Sequence, residues 1–417
     1  MGQLTAARSV SCALDGAAAD VTPAERPGLW DLPTKDALRR AARRSATLAL
    51  FGWGPVVLTL IFLLNFAKLG VLAYDFKIDF WRPGHDLLHA VAPYIPQREA
   101  IERYESPVYP PPILLAAAPL SLLPFTVAAA IWASLMLAAA FAALWILGVR
   151  DWRCYGLLLI STPLFEGVAF GNVTPLLLLP LAAAWRFRDK VVGAALAVAS
   201  AIVVKLFLWP LLVWLVVTRR WRAAVGAVAA AATAALAGWA VLGFAGLETY
   251  PLLLRRLSDV FAAHSVSLYA EATDVGLSSA AATVASSAVG LALLGLAFVL
   301  ARRRDGDRRS LAAALAATIA LSPIVWPHYL VLAFVPIALV QPRLGWLWAV
   351  PLATWPIYFL PAPPLIVPGP AAVPRALWQT LDGPVSSTRI AICLVPFAVV
   401  LAATLRMRGR GACLEGT

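Results

Sequence analysis

Long apolar runs separated by short, arginine-bearing connections set the rhythm of this chain. Placed by apolar length and by their basic ends, the runs fall at about 47–70, 125–148, 153–167, 173–187, 190–204, 206–218, 222–244, 278–301, 309–322, 327–341, 344–360 and 389–406. A bilayer core takes about 20 residues of helix to cross. Several runs have only 13 to 17 residues, the length of a broken or half-inserted helix. They are rich in Ala, Leu and Val and lack the apolar-out, polar-in alternation of a membrane barrel strand. Backbone polar groups within lipid must be bonded inside the chain. The pattern therefore predicts an all-α, polytopic membrane helix bundle with about twelve transmembrane helices.

Composition agrees, since 61% of the 417 residues are hydrophobic and 13% charged, about half the charged share of a soluble domain. Lys and Arg near span ends mark the cytoplasmic side. With the N-terminus inside, the segments 1–46, 150–153, 186–190, 219–222, 302–309, 343 and 406–410 hold 24 of the 34 basic residues. This predicts a multi-pass protein of the plasma (inner) membrane. Residues 1–46 form a cytoplasmic tail with a short amphipathic end, 47–406 the membrane domain and 407–417 a second cytoplasmic tail. Basic loops beside anionic membrane lipid account for the net charge of +12, so no nucleic-acid partner is implied. The apolar stretch after residue 46 is longer than a signal-peptide core and reads as an uncleaved anchor. Cys12, Cys154, Cys393 and Cys413 form no CxxC pair and imply neither a disulfide framework nor a cysteine metal site.

The outer side differs in character. It holds a long first loop at 71–124, a second at 245–277 and a proline-rich third at 361–388. Twelve of the 22 acidic residues lie there or at outer span ends, and six fall between Asp75 and Glu105. Three readings compete: an enzyme acting on a lipid-linked substrate, a transporter, and a structural loop with solvated charge. A transporter places ionisable groups at mid-membrane, often in two related halves. No internal repeat is present, and Lys205, between two short runs, is the sole candidate. Glu99, Glu102 and Arg103 have the spacing of a wet helix face. Asp75 is different, because Tyr74 and Phe76 flank it at the outer end of the first span, where an unpaired charge is costly.

Five stretches in order resemble glycosyltransferase family 87. They are Asp75-Phe-Lys-Ile-Asp79 with the amphipathic segment ending at Pro93-Tyr94, "VYPPPILLAAAPLSLLP" (Val108–Pro124), "FGNVTPLLLL" (Phe170–Leu179), "AIVVKLFLWPLLVWLVVTRRWRA" (Ala201–Ala223) and "LSPIVWPHYL" (Leu321–Leu330). Asn172 follows Gly171 where the family pattern has Gln, and Lys205 lies further from Pro210 than in its Lys-x-x-Pro segment. The resemblance implies a GT-C-type bundle. It also implies inverting transfer of a hexose, mannose in particular, from a polyprenyl-phosphate donor to a glycolipid, polysaccharide or glycan acceptor on the outer membrane face, carried out by a monomer. Arabinofuranosyl transfer from an analogous lipid donor, and transport or flipping of a lipid-linked sugar, remain as alternatives.

Such a transfer needs one carboxylate as general base and cationic groups at the departing phosphate, whereas a hydrolase places two carboxyl groups across the bond. The resemblance puts the base at Asp75, with Asp79 one turn later as the alternative. Lys205, His328, Arg82 and the Arg255/Arg256 pair are candidates for the phosphate, and Asn172 lies in a motif that resemblance assigns to the site. Lys205 either snorkels to the interface or meets an anion. His328 is either an interfacial histidine in an aromatic belt or a hydrogen-bond donor to phosphate or sugar, with Trp326 as a stacking face. His85 and His89 have i, i+4 spacing, but two histidines do not make a zinc site, and the outer segments carry no Asp-x-Asp pair. No metal and no cofactor are expected, the lipid-linked sugar being a substrate. His85 then serves acceptor or phosphate, or caps its loop helix.

Overall fold

The computed structural model describes residues 35–68, 70–102, 106–303, 305–358 and 387–406. The tail to residue 34, Arg103, Glu105, most of the third outer loop and the 407–417 tail lie outside them, as do Cys12 and Cys413. The chain divides into two units, 1–46 and 47–417. In the first, residues 35–46 are helical. The second holds everything else described.

Among the described residues every regular element is helical. Five helices are long and apolar enough to cross a membrane: Lys35–Lys68, Phe125–Ile146, Trp221–Val241, Ser279–Ala301 and Ser387–Arg406. Four more are apolar but short: Pro111–Leu122, Val191–Val204, Leu206–Val217 and Pro327–Val340. The expectation of twelve crossings is therefore not reached by length. Proline and glycine cut the remaining runs. The expected span at 153–167 is two helices, Trp152–Leu159 and Thr162–Phe170, the second opening with Pro163 in its first turn and closing on Gly171. Conversely, Pro111–Leu122 is a helix inside the segment read as the first outer loop.

The same punctuation makes helix breaks within the apolar runs. Pro210 starts the helix Pro210–Val217, and a proline ring does not tolerate the helical carbonyl four residues earlier. The chain accordingly leaves the helix at Lys205, whose backbone is extended (φ −141°, ψ 108°). Pro327 likewise opens a helix after the non-helical stretch 322–326. Within a bilayer, irregular backbone is tolerated where protein or a cavity covers it. The helix Gly306–Leu321 is buried along nearly its whole length and packs against Ser279–Ala301, where Gly290 leaves room for Leu321, the close approach that small residues permit between membrane helices.

The connections sort onto two faces. Arg220 donates to Asp189 at 2.6 Å and to Asp307 at 2.7 Å, and Arg188 donates to Asp307 at 3.3 Å, joining 186–190, 219–222 and 302–309. The Leu344 amide donates to Asp151 at 3.0 Å. Elsewhere, the Tyr250 hydroxyl donates to the Val108 carbonyl at 3.1 Å, Arg256 donates to the Pro96 carbonyl, and the Val266 amide donates to the Val325 carbonyl at 2.8 Å. The connections expected inside thus touch one another, and so do those expected outside.

Candidate active site

Three helix breaks and one loop helix meet around a cavity of about 360 Å³. The breaks are the turn at Gly171-Asn172, the extended Lys205 and the 322–326 stretch; the loop helix is the run 74–88, which carries Asp75 and Asp79. Gly171 is required for this convergence. Its φ is +73°, and a Cβ there would stand 2.7 Å from the Cβ of Phe76. Its carbonyl accepts from the Trp132 indole at 2.8 Å, and Phe76 stacks on Trp132 with ring centroids 5.2 Å apart. The turn and the loop helix are thereby locked side by side, with Asp75 next to Phe76.

Asn172 is the hub of the polar end. Its Nδ2 donates to Asp75 Oδ2 at 2.7 Å and to the Tyr109 hydroxyl at 3.2 Å. Its Oδ1 accepts from Lys205 Nζ at 3.3 Å, from the Thr174 hydroxyl at 2.7 Å and from the Thr174 amide at 3.1 Å. Lys205 also donates to Thr174 Oγ1 at 2.8 Å, and its ammonium lies 3.6 Å from the Tyr329 ring centroid. Lysine in this position is buried, so it does not snorkel. A buried ammonium is sustained by partners, here two oxygens, an aromatic face and the Asp75 side chain one amide away.

The two carboxyl groups differ. Asp79 is buried and accepts from the Val108 amide at 3.3 Å; burial first, and then the charge of Asp75, hold it well above the usual carboxylate range. Asp75 keeps part of its surface open along the cavity. Burial pushes it up to about 6, against the opposing pull of the Asn172 hydrogen bond and the Lys205 charge. Of the two, Asp75 is the one whose charged form the Asn172 amide supports.

Of the residues singled out from sequence, Asp75, Asp79, Asn172, Lys205, Trp326 and His328 all line this cavity. Arg82, His85, Arg255 and Arg256 do not. Arg82, His85 and Arg255 are exposed, and Arg256 is spent on the Pro96 carbonyl. His85 and His89 stack at 4.2 Å on an exposed loop helix, the His89 ring bonding the His85 carbonyl. Among the described residues no group of three or more His, Cys, Asp or Glu is placed to hold a metal. One Asp-x-Asp triplet, Asp305-Gly306-Asp307, does occur in the chain, but it does not line this cavity, and Asp307 is held by Arg188 and Arg220.

Sequence reasoning passed over Tyr109, Thr174, Tyr329 and Glu166, all within the network or the cavity wall. Their signal was present in that each sits inside or next to one of the five family-like stretches or a span end. The lining of the cavity also has apolar members, among them Ile101, Leu254, Leu257 and Phe261. In comparisons with known proteins, the model of Glycosyltransferase family 87 matches residues 108–327, just over half of the chain. Searches of curated proteins and of solved structures gave no match.

Proposed function

The chain belongs to glycosyltransferase family 87, and from that premise we propose that it transfers a hexose, mannose in particular, from a polyprenyl-phosphate donor to a cell-envelope glycolipid, polysaccharide or glycan, with inversion at the sugar. The observation that carries this reading is the Asp75–Asn172–Lys205 chain of contacts, which sets a carboxylate and an ammonium on either side of one amide in a single cavity. In the transfer, Asp75 takes the proton of the acceptor hydroxyl as its oxygen bonds to the anomeric carbon. The bond from that carbon to the phosphate oxygen breaks, and its electron pair leaves with the phosphate beside Lys205. One carboxylate and one fixed cation are what such a step asks of the protein. Asp79, one turn from Asp75 in the same cavity, orients the sugar, and Trp326 offers a face for the ring. The wall of Ile101, Leu254, Leu257 and Phe261 suits the first isoprene units.

Beside the three helix breaks, the cavity is lined by residues of the first and second connections expected outside, so we propose an active site on the extracytoplasmic side of the plasma membrane, in a monomer. Purified protein in detergent, mixed with polyprenyl-phosphate mannose and a panel of envelope acceptors, tests the reading. A transferase releases free polyprenyl phosphate and labels an acceptor without any compartment. A flippase leaves the donor intact. Turnover of polyprenyl-phosphate arabinofuranose in place of the mannosyl donor reassigns the sugar.

A further inference from the structure

Tyr109 belongs to the polar end of the cavity, yet no step of the transfer uses it. The residue is 5% exposed and lines the cavity. Its ring stacks on Phe80 with centroids 4.8 Å apart, and its carbonyl accepts from the Tyr94 hydroxyl at 2.9 Å, so ring and backbone are both held. The Lys205 ammonium lies 5.5 Å from the ring centroid.

The direction of the phenol proton follows from Asn172. A backbone amide only donates, and that of Thr174 donates to Asn172 Oδ1 at 3.1 Å, which fixes the side-chain oxygen on the Thr174 side and the NH2 group on the other. That NH2 group donates to Asp75 at 2.7 Å and to the Tyr109 hydroxyl at 3.2 Å. The phenol oxygen is therefore the acceptor of this contact, and its own proton is directed elsewhere. Among the described residues nothing accepts it. Burial raises the phenol well above its usual range, so the proton is present at neutral pH. A buried donor without an acceptor is a cost that structures rarely carry without use.

We propose that Tyr109 is a further catalytic residue, whose hydroxyl donates a hydrogen bond to an oxygen of the departing phosphate beside Lys205 and keeps its proton throughout. The inference rests on the reading of the cavity as a polyprenyl-phosphate hexose site. A phenol proton is held most strongly by a charged oxygen. Neither Asp75 nor Asp79 accepts it, and the other anion of the reaction is the phosphate. The cation assigned to that phosphate sits against the same ring. As the bond to the anomeric carbon breaks, negative charge grows on the phosphate, so a donor fixed there strengthens its contact in the transition state.

The test is equilibrium binding of undecaprenyl phosphate and of undecaprenol, the same lipid without the phosphate, to the full-length protein in detergent. Tyr109→Phe should weaken the phosphate by about ten- to a hundredfold, the scale of a hydrogen bond to a charged group, and leave undecaprenol unchanged. Because this variant also takes an acceptor from Asn172, a second replacement separates the direct contact from a disturbance passed on to Lys205. In ortho-fluorotyrosine at position 109 the hydroxyl is a stronger donor and a weaker acceptor. A direct contact then binds undecaprenyl phosphate more tightly than the unmutated protein does, whereas a disturbance passed through Asn172 leaves it equal or weaker. Equal or weaker binding with ortho-fluorotyrosine overturns the inference, as does an unchanged phosphate affinity in Tyr109→Phe or a loss that undecaprenol shares. These results leave the function standing where the unmutated protein turns over polyprenyl-phosphate mannose. If the unmutated protein binds neither that donor nor undecaprenyl phosphate, the functional reading falls and the contact with it. The fluorinated residue keeps both ring and oxygen, so it decides by itself should Tyr109→Phe fail to fold.

Discussion

Asp75 and Asp79 lie one helical turn apart on the same short helix, yet their surroundings differ. Asp79 is enclosed and faces the charge of Asp75, whereas Asp75 is offset by the Asn172 amide and the Lys205 ammonium. If Asp75 is the base, Asp75→Asn keeps the hydrogen-bonding shape but takes no proton, and kcat should fall by about 10²- to 10⁴-fold, with donor KM equal or lower. Asp79→Asn is the control, expected to lose less, and a reversal of the two in steady-state assays would exchange their roles. The pH profile makes a separate demand. A base works in its deprotonated form, and burial raises the Asp75 carboxyl to about 6, so kcat/KM should decline as pH drops through about 6. Asn172 donates to the charged form. Asn172→Ala removes that support, so the acid limb should move to higher pH; a limb that stays in place or moves down contradicts the role given to Asn172.

At the scale of elements, the site depends on how breaks in helices are spaced, and Gly171 is the break that a single methyl group tests. Its left-handed backbone and the approach of Phe76 are separate constraints. Gly148 shares the first, with φ +90°, but a methyl group added there would have nothing within 4 Å. Gly148→Ala should therefore cost about 1–2 kcal/mol. Gly171→Ala should cost more, about 2–4 kcal/mol once displacement of Phe76 is added, and should reduce activity by moving Asp75. Melting and turnover of the two variants in one detergent separate the effects, and equal losses would show that Phe76 yields freely. These breaks also explain what could be read in advance. Asn172, Lys205 and His328 stand out in sequence because each is polar, set in an apolar run and close to a proline or glycine; burial there demands partners. Arg82, His85 and Arg255 were equally visible as charges, but a loop helix has a wet face as well as a buried one, and only the packing says which they occupy. Glu166 gave no such signal, because its burial follows from Pro163 and Gly171 making its helix a short buried one. The count of about twelve helices is not confirmed for the same reason, since apolar length alone does not distinguish a crossing from two halves of a broken helix.

For the molecule as a whole, the charge distribution sets a sidedness that the contacts respect. Three arginine-bearing connections are joined through Asp307, and the cavity opens among connections of the other face, from Asp75 to Phe261 and 322–326. Lys and Arg beside spans are retained in the cytoplasm, so the Arg302–Arg303 end should be inside and the cavity outside. Cysteine labelling in intact cells checks this directly. Cys154 and Cys393 are buried, and replacing all four cysteines gives a background on which single probes are added at Gln97 and at Arg303, both exposed. A membrane-impermeant maleimide should modify the Gln97 probe in sealed cells and the Arg303 probe only after permeabilisation. The opposite pattern would invert the protein and put the cavity on the cytoplasmic side, where a donor presented from outside could not reach Lys205. Labelling of both probes in sealed cells would mean that the two faces do not correspond to the two sides of the membrane, and the separation of the arginine connections from the cavity would lose its meaning as a topology.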